Sequence, residues 1–327
     1  MKLSIVMTLY NSAPYIEQLY ERTVAATQSI GDVSYEIVLV NDHSPDESLA
    51  IAKQLAVNHP NLIIIDLARN FGQANALMVG MAHASGDYVF ILDSDLEEQP
   101  EWLALFFAQL DTKACDVVYG VNTHPKDNIG RAISRVLFYK LLNFLAETEF
   151  PKNICTARLM TRQYVDALMQ FQERELFLGG LLHVTGFSQL PVEVKKIGSS
   201  PTNYSISQLL TMAVNAITAF TTRPLSIIAV AGIGLSIVAV LYTGWIMYKA
   251  LVYRSVLEGW TSVMAGILLI GGMTLFFNGV MAIYIAKIFL EVKQRPRTII
   301  REIHRSQSGA HGGKHTDAET DSKNLNA

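Results

Sequence analysis

The sequence predicts an α/β protein, with a doubly wound, mostly parallel sheet at the front of the chain and two transmembrane helices behind it. Three observations predict this. Short apolar runs alternate with helical stretches through residues 1–122, and polar clusters fall directly after those runs. Two long stretches, 224–248 and 259–286, carry no charged side chain. The composition agrees: of 327 residues, 50% are hydrophobic, too many for an ordinary soluble domain, while 17% are charged, too many for a chain lying wholly in a membrane. This length accommodates one domain of about 200 residues plus a membrane part.

The strands are expected at 3–9, 35–41, 61–67, 87–92 and 116–121, and the helices between them at 13–29, 46–58, 73–84 and 101–110. Near-continuous apolar strands are what a parallel sheet covered on both faces requires. Strand–helix alternation then gives a doubly wound domain. Ligands of such sheets sit at the carboxyl ends of the strands. The first run, 3–9, breaks into Tyr10-Asn11-Ser12 and is too short for a secretory leader, so it reads as a buried first strand.

Residues 124–150 interleave Lys126, Arg131, Arg135 and Lys140 with Leu137, Phe138, Leu142 and Phe144. A basic amphipathic stretch of this kind reads as a helix on a membrane surface, or as a core-facing helix with a solvated basic face. Each uncharged run further on exceeds the roughly 20 residues needed to cross a bilayer. A single central Arg or Asp would cost about 2.5–3.5 kcal/mol there. Arg223 precedes the first run, and Lys287, Lys293, Arg295, Arg297, Arg301 and Arg305 follow the second. The positive-inside rule therefore puts the N-terminal domain and both termini in the cytosol.

The expected organisation is a cytosolic domain at 1–202, a juxtamembrane helix at 203–223 and a two-helix hairpin at 224–286. A basic cytosolic segment follows at 287–305, and a polar, disordered tail at 306–327. Gly232, Gly234, Gly266, Gly271 and Gly272 either offer small faces for a homo-oligomer or are ordinary membrane-helix glycines. A net charge of −3 gives no general polyanion-binding surface, so nucleic acid is not an expected partner. Cys115 and Cys155 lie far apart and show no metal or redox spacing.

The chemistry concentrates in three clusters. Asp93 and Asp95 follow the fourth strand, and side chains two apart on a strand share a face. Such a pair addresses one hard cation, Mg²⁺ or Mn²⁺, bridging carboxylates to substrate phosphates. Asn41-Asp42-His43-Ser44-Pro45-Asp46 places Asp42 where a carboxylate accepts hydrogen bonds from a nucleobase or ribose, while Asp46 caps the next helix. Arg69-Asn70-Phe71-Gly72-Gln73 joins a cation to a glycine before a helix start, a place that receives anions, although Arg69 also reads as one half of a surface ion pair.

Together with Leu9-Tyr10-Asn11-Ser12, Ala84-Ser85-Gly86-Asp87, Asp93 to Glu101, Arg158-Leu159-Met160-Thr161-Arg162, Gly198-Ser199-Ser200 and Lys293 to Arg297, these clusters resemble glycosyltransferase family 2, in its polyprenyl-phosphate branch. The likeness spans residues 1–300 and is shared with dolichol-phosphate mannose synthases and bacterial undecaprenyl-phosphate glucosyltransferases.

The resemblance implies a GT-A-like nucleotide-sugar-binding domain, a bacterial inner-membrane location, and inverting transfer of a sugar, with UDP-glucose the first choice, to undecaprenyl phosphate. It implies Asp93, Asp95 and Glu97 as metal ligands and Leu9, Tyr10, Asn11, Asp42, Arg69, Gln73 and Ser94 as donor-binding residues. Arg131, Arg135, Arg158 and Lys195 would hold the acceptor phosphate, with Arg131, Asp93 and Asp95 catalytic.

Two positions depart from that family's pattern. Glu97 stands where Gln is usual, and Thr156-Ala157 stands where the family often has Asp-Phe, removing a possible catalytic Asp. The other readings are a processive polysaccharide synthase and a non-catalytic scaffold. A Gln-x-x-Arg-Trp signature is missing from the stretch after Gln170, against the first, and the intact Asp93-Ser94-Asp95 and Asp42 argue against the second.

Overall fold

The structure is a computed structural model that describes residues 1–123, 153–171, 173, 178–198, 223–253 and 259–305. The amphipathic stretch 124–150, the juxtamembrane segment before Arg223 and the tail 306–327 lie outside the described residues.

Strands β1 (Lys2–Leu9), β2 (Ser34–Asn41), β3 (Leu62–Leu67), β4 (Tyr88–Asp93) and β5 (Val117–Asn122) match the five apolar runs to within a residue or two. Helices α1 (Ile16–Gln28), α2 (Ser48–Asn58), α3 (Gln73–His83) and α4 (Trp102–Lys113) alternate with them. The chain continues as β6 (Ile154–Thr161), α5 (Arg162–Met169), α6 (Leu178–Val184) and β7 (Gln189–Val194). Two long helices, α7 (Arg223–Tyr253) and α8 (Trp260–Val292), precede the last strand, β8 (Ile300–Arg305).

All eight strands form one sheet in the order β7-β5-β6-β4-β1-β2-β3-β8. The centre is parallel: β1 pairs with β2 and β4, and β2 with β3. Two flanking strands are not. β6 inserts antiparallel between β4 and β5, and β8 closes the far edge antiparallel to β3. At the other edge β7 pairs parallel with β5, so the sheet is mostly parallel, with β6 and β8 reversed; these two and β7 are strands that the sequence pattern does not single out.

Alternation along β1 explains the two-sided core. Leu3, Ile5, Met7 and Leu9 face a layer holding Ile16 and Leu19 of α1, Ala52 of α2 and Leu103 and Phe106 of α4. Val6 faces the other way, into a layer with Leu77 and Met81 of α3, Tyr164 and Leu168 of α5 and Leu182 of α6. Helix α3 lies close to the sheet because Gly80 has no side chain. A Cβ there would stand 2.3 Å from Val6 Cγ1 and 3.0 Å from Val40 Cγ2.

Both uncharged runs fold as helices, but among the described residues one stretch, Leu269–Val292 in α8, is long and apolar enough to cross a membrane. In α7 the apolar stretch is Leu225–Ala239, shorter than a crossing over the residues described. Leu275, Phe276, Ile285 and Val292 stand exposed along α8, a surface suited to lipid. The basic stretch after α8 does not simply trail away, because Ile300–Arg305 returns to the sheet as β8.

Candidate active site at the carboxyl edge of the sheet

The loops that leave β1, β2, β3 and β4 meet at one edge of the sheet. Asn11, His43 and Leu96, three non-glycine residues with left-handed backbone, fall in these loops at φ 54°, 53° and 60°. Backbone strain of this kind gathers where a site over-determines its loops. Serine side chains join the loops: Ser12 and Ser94 share a hydrogen bond of 2.7 Å, and the Ser12 amide donates to Ser48 Oγ at 3.0 Å. Asp46 accepts the amides of Ala13 and Ser48, each at 3.0 Å, and so caps α2 while tying it to the first loop.

Asp42 is buried, and its two carboxylate oxygens accept the amides of Phe71 and Gly72 at 2.7 and 2.8 Å. Gly72 takes φ 89°, a conformation that side-chain-bearing residues avoid, so the sequence supplies glycine where this turn is needed. Asp42 thus fixes the third loop, and both border a cavity of about 320 Å³ lined by Thr8, Tyr10, Asp42, Asn70, Gly72, Gln73 and Asp93-Ser94-Asp95.

Asp93 ends β4 opposite Thr8. Its Oδ1 accepts from Gln73 Nε2 and its Oδ2 from Thr156 Oγ1 at 2.9 Å. Burial, then the nearby Glu98 carboxylate, push the Asp93 carboxyl up to about 7. Glu98 is fully buried. Its Oε1 accepts the Thr156 amide at 2.9 Å and lies 2.7 Å from Lys196 Nζ, while Oε2 accepts the Ala157 amide at 2.6 Å. Lys196 stays above its usual range, because Glu98 outweighs the burial that would discharge it.

A second cavity, of about 220 Å³, shares Gln73 with the first and continues past Thr156 to Ile91, Cys155, Arg158, Leu178 and Leu182. Arg158 is buried with its guanidinium 5.5 Å from the Tyr119 ring centroid, and its Nε and Nη1 find no hydrogen-bond partner among the described residues. Burial and the Glu98 charge push the Cys155 thiol up to about 12, so it is an inert wall.

Of the expected site residues, the structure gathers Tyr10, Asp42, Gln73, Asp93, Ser94 and Asp95 around one cavity. Leu9 is not among them. Its side chain lies in the core with Leu3, Ile5 and Met7, and only its carbonyl turns inward, accepting the Asp42 amide at 3.1 Å. Asn11 is exposed, and its amide donates to Ser44 Oγ at 2.8 Å. Arg69 is exposed and stacks on Phe71 at 4.7 Å; no carboxylate among the described residues pairs with it. Lys195 points to solvent, whereas its neighbour Lys196 reaches the site. Arg131 and Arg135 lie outside the described residues.

Glu97 does not join Asp93 and Asp95: no group of three carboxylate, imidazole or thiol side chains has metal spacing among the described residues. The Asp93–Asp95 pair still fits a divalent cation. Magnesium-type sites often use one or two carboxylates and complete their shell with phosphate oxygens. A cation would also relieve the excess negative charge around Asp93 and Glu98.

A family model described as Glycosyl transferase family 2 matches residues 4–169, which include every loop of this edge. The chain belongs to glycosyltransferase family 2. Three relatives extend the similarity over nearly the whole length. A Mycobacterium tuberculosis protein whose name places it among the glycosyltransferases is 39% identical, over 94% of this chain and 89% of that one. A bactoprenol glucosyl transferase derived from the SfII prophage of Shigella flexneri is 32% identical, over 93% and 99%. The uncharacterized glycosyltransferase YkcC of Bacillus subtilis is 32% identical, over 91% and 93%. The sheet edge is accordingly the place to look for the sugar-transfer chemistry of this glycosyltransferase. Thr8, Asn70, Glu98 and Lys196 join the residues that sequence reasoning selected.

Proposed function

We propose that this glycosyltransferase moves a sugar, with UDP-glucose as first choice, from a nucleotide-sugar to undecaprenyl phosphate at the cytoplasmic face of a bacterial inner membrane. The product is a lipid-linked monosaccharide for modifying cell-envelope glycans such as lipopolysaccharide. One observation carries the reading: Asp93 and Asp95 border the same cavity as Asp42, so a carboxylate pair for a diphosphate and a carboxylate for the nucleoside flank one nucleotide-sized space. The bactoprenol glucosyl transferases among the relatives support the choice of acceptor.

The donor lies in the 320 Å³ cavity of this GT-A-like domain, with its sugar at the junction beside Gln73 and Thr156. A bound Mg²⁺ or Mn²⁺ supplies charge stabilisation for the departing diphosphate. Asp93 and Asp95 would hold it, and Gln73 and Thr156 orient Asp93 through their hydrogen bonds. The acceptor phosphate oxygen attacks the anomeric carbon as the bond to the diphosphate breaks, which inverts configuration. Arg131, Arg135, Arg158 and Lys195 provide cations for that phosphate. A phosphate monoester has its second pKa near 6 and is largely dianionic at pH 7, so it needs no protein base. Thr156 is no base either, since its hydroxyl donates to Asp93. Two membrane crossings, α7 and α8, would keep this site beside its lipid.

Membranes containing the protein, supplied with undecaprenyl phosphate and a panel of labelled nucleotide-sugars, test the reading. Label should pass into the lipid phase from one donor and vanish with EDTA or with Asp95→Ala. Transfer from no donor in the presence of Mg²⁺ and Mn²⁺ would refute it, and polymeric product would favour a processive synthase.

A further inference from the structure

Strand β8, the first element after α8, reaches the donor end of the site through one side chain. Arg301 Nη2 donates to the carbonyl of Ala68 at 2.8 Å, where the third loop leaves β3, and lies 3.5 Å from His43 Nδ1 in the second loop. Its Nη1 stands 3.4 Å from Asp66 Oδ2. Asp66 is buried, and its other oxygen accepts from Asn41 Nδ2 at 2.7 Å, next to Asp42. Asn41 Oδ1 in turn accepts the Ser44 amide at 3.3 Å. The backbone adds a further link, from the Ala68 amide to the Ile299 carbonyl at 2.9 Å. One guanidinium therefore bonds to both loops whose Asp42, Asn70 and Gly72 line the larger cavity, without lining it itself.

The chemistry requires that cation. A buried carboxylate such as Asp66 is costly unless it is paired, and Asn41 offers it a single neutral donor. With Arg301 removed, Asp66 would keep only the Asn41 amide as its donor and would draw in water. That change would alter the hold on Asn41, and with it the path of the backbone through Asp42. The Ala68 carbonyl would lose its donor in the same step, loosening the loop that carries Arg69 and Gly72. An arginine suits the position because its planar fork serves the carboxylate and the carbonyl together, which an ammonium on a flexible stem does less well.

We propose that Arg301 is a positioning residue for nucleotide binding, through which the strand that follows the membrane helix holds the donor loops in register. This rests on the reading of the larger cavity as the donor site. The test is titration calorimetry of UDP and of GDP, each with Mn²⁺, on the full chain in detergent micelles. It is paired with steady-state kinetics in which donor and acceptor are varied separately. Arg301→Ala should weaken nucleotide binding and raise the donor KM about tenfold, equivalent to one 1.4 kcal/mol step. The acceptor KM, and kcat at saturating donor, should stay near wild type. Arg301→Lys should recover part of the loss. Arg305→Ala, on the same strand but away from both loops, should bind as wild type does.

Unchanged nucleotide affinity in Arg301→Ala would overturn the proposal. So would an equal loss in Arg305→Ala, which would reveal a general charge effect, or a parallel rise in the acceptor KM. Wild-type protein that bound neither nucleotide would remove the donor reading, and the inference with it.

Discussion

Replacing Glu98 with glutamine should destabilise the catalytic domain although the shape barely changes. The carboxylate is 0% exposed and serves three donors: Thr156 N and Lys196 Nζ at Oε1, and Ala157 N at Oε2. A glutamine has one carbonyl oxygen and one amino group. With its oxygen toward Thr156 and Lys196, its NH₂ faces the Ala157 amide. In the flipped orientation its NH₂ faces both Thr156 and the lysine. At least one buried donor is left unmatched, which costs about 1–3 kcal/mol. Glu98→Ala removes every acceptor and strands the Lys196 charge, so it should cost about 3–5 kcal/mol. For a domain of about 200 residues each kcal/mol moves the melting temperature by about 2–4 °C, so the glutamine variant, at a midpoint near 2 kcal/mol, should melt about 4–8 °C early. Intrinsic tryptophan fluorescence during a thermal ramp, on the full chain in micelles, reads this directly. Melting of Glu98→Gln within a degree of wild type would refute the reasoning, since it would mean that water already satisfies these donors.

Other outcomes follow from the same geometry. Thr156→Ala deletes a hydroxyl that orients Asp93 but moves no proton, so kcat should fall by about tenfold or less; complete loss of turnover with donor and lipid binding intact would show that the hydroxyl takes part in the chemistry. Asp46 sits at about 2: burial works to raise it, but hydrogen bonds from Ser44, Ser48 and the Ala13 amide prevail. A depressed carboxylate contributes stability above its unfolded value of 3.8 and loses it as the pH falls toward 2. Wild type should therefore lose about 1 kcal/mol more than Asp46→Asn across that window, after discounting for solvent screening, as urea titrations at each pH would measure. Gly80→Ala should destabilise by about 1–3 kcal/mol despite alanine's better helix propensity, because its Cβ would meet Val6 and Val40. A stabilised Gly80→Ala would show that α3 can lift from the sheet without cost.

The parallel centre of the fold was legible because its strands are apolar on both faces and end in polar clusters. β6 was not. Its run Ile154-Cys155-Thr156-Ala157-Arg158 contains a buried arginine, and its place between β4 and β5 depends on pairing with distant strands. β8 reads as a basic tail because an edge strand with Arg301, Glu302 and Arg305 exposed shows little apolar pattern. The site divided in a similar way. The Asp93-Ser94-Asp95 cluster stood out, but neighbours could not be told apart without the backbone path. Leu96 turns left-handed after Asp95, and it is Glu98, not Glu97, that lies buried against the start of β6. Lys196 rather than Lys195 faces inward, on the same side as the buried Val194 two residues earlier.

The late return of the chain to β3 also constrains biosynthesis. Arg301 and Ala68 are 233 residues apart, with both long helices made between them. At about 5–20 residues per second, the edge of β3 would wait roughly 10–50 s for its last neighbour. During that interval the outer edge of Leu62–Leu67, already paired with β2 on its inner side, stands open to any other extended chain. Ribosomes that stalled within α7 or α8 would release a domain whose sheet is unfinished on that side, with Asp66 lacking its cation. Such fragments should aggregate more readily than the full chain, and a peptide matching Ile300–Arg305 supplied during synthesis should suppress the aggregation.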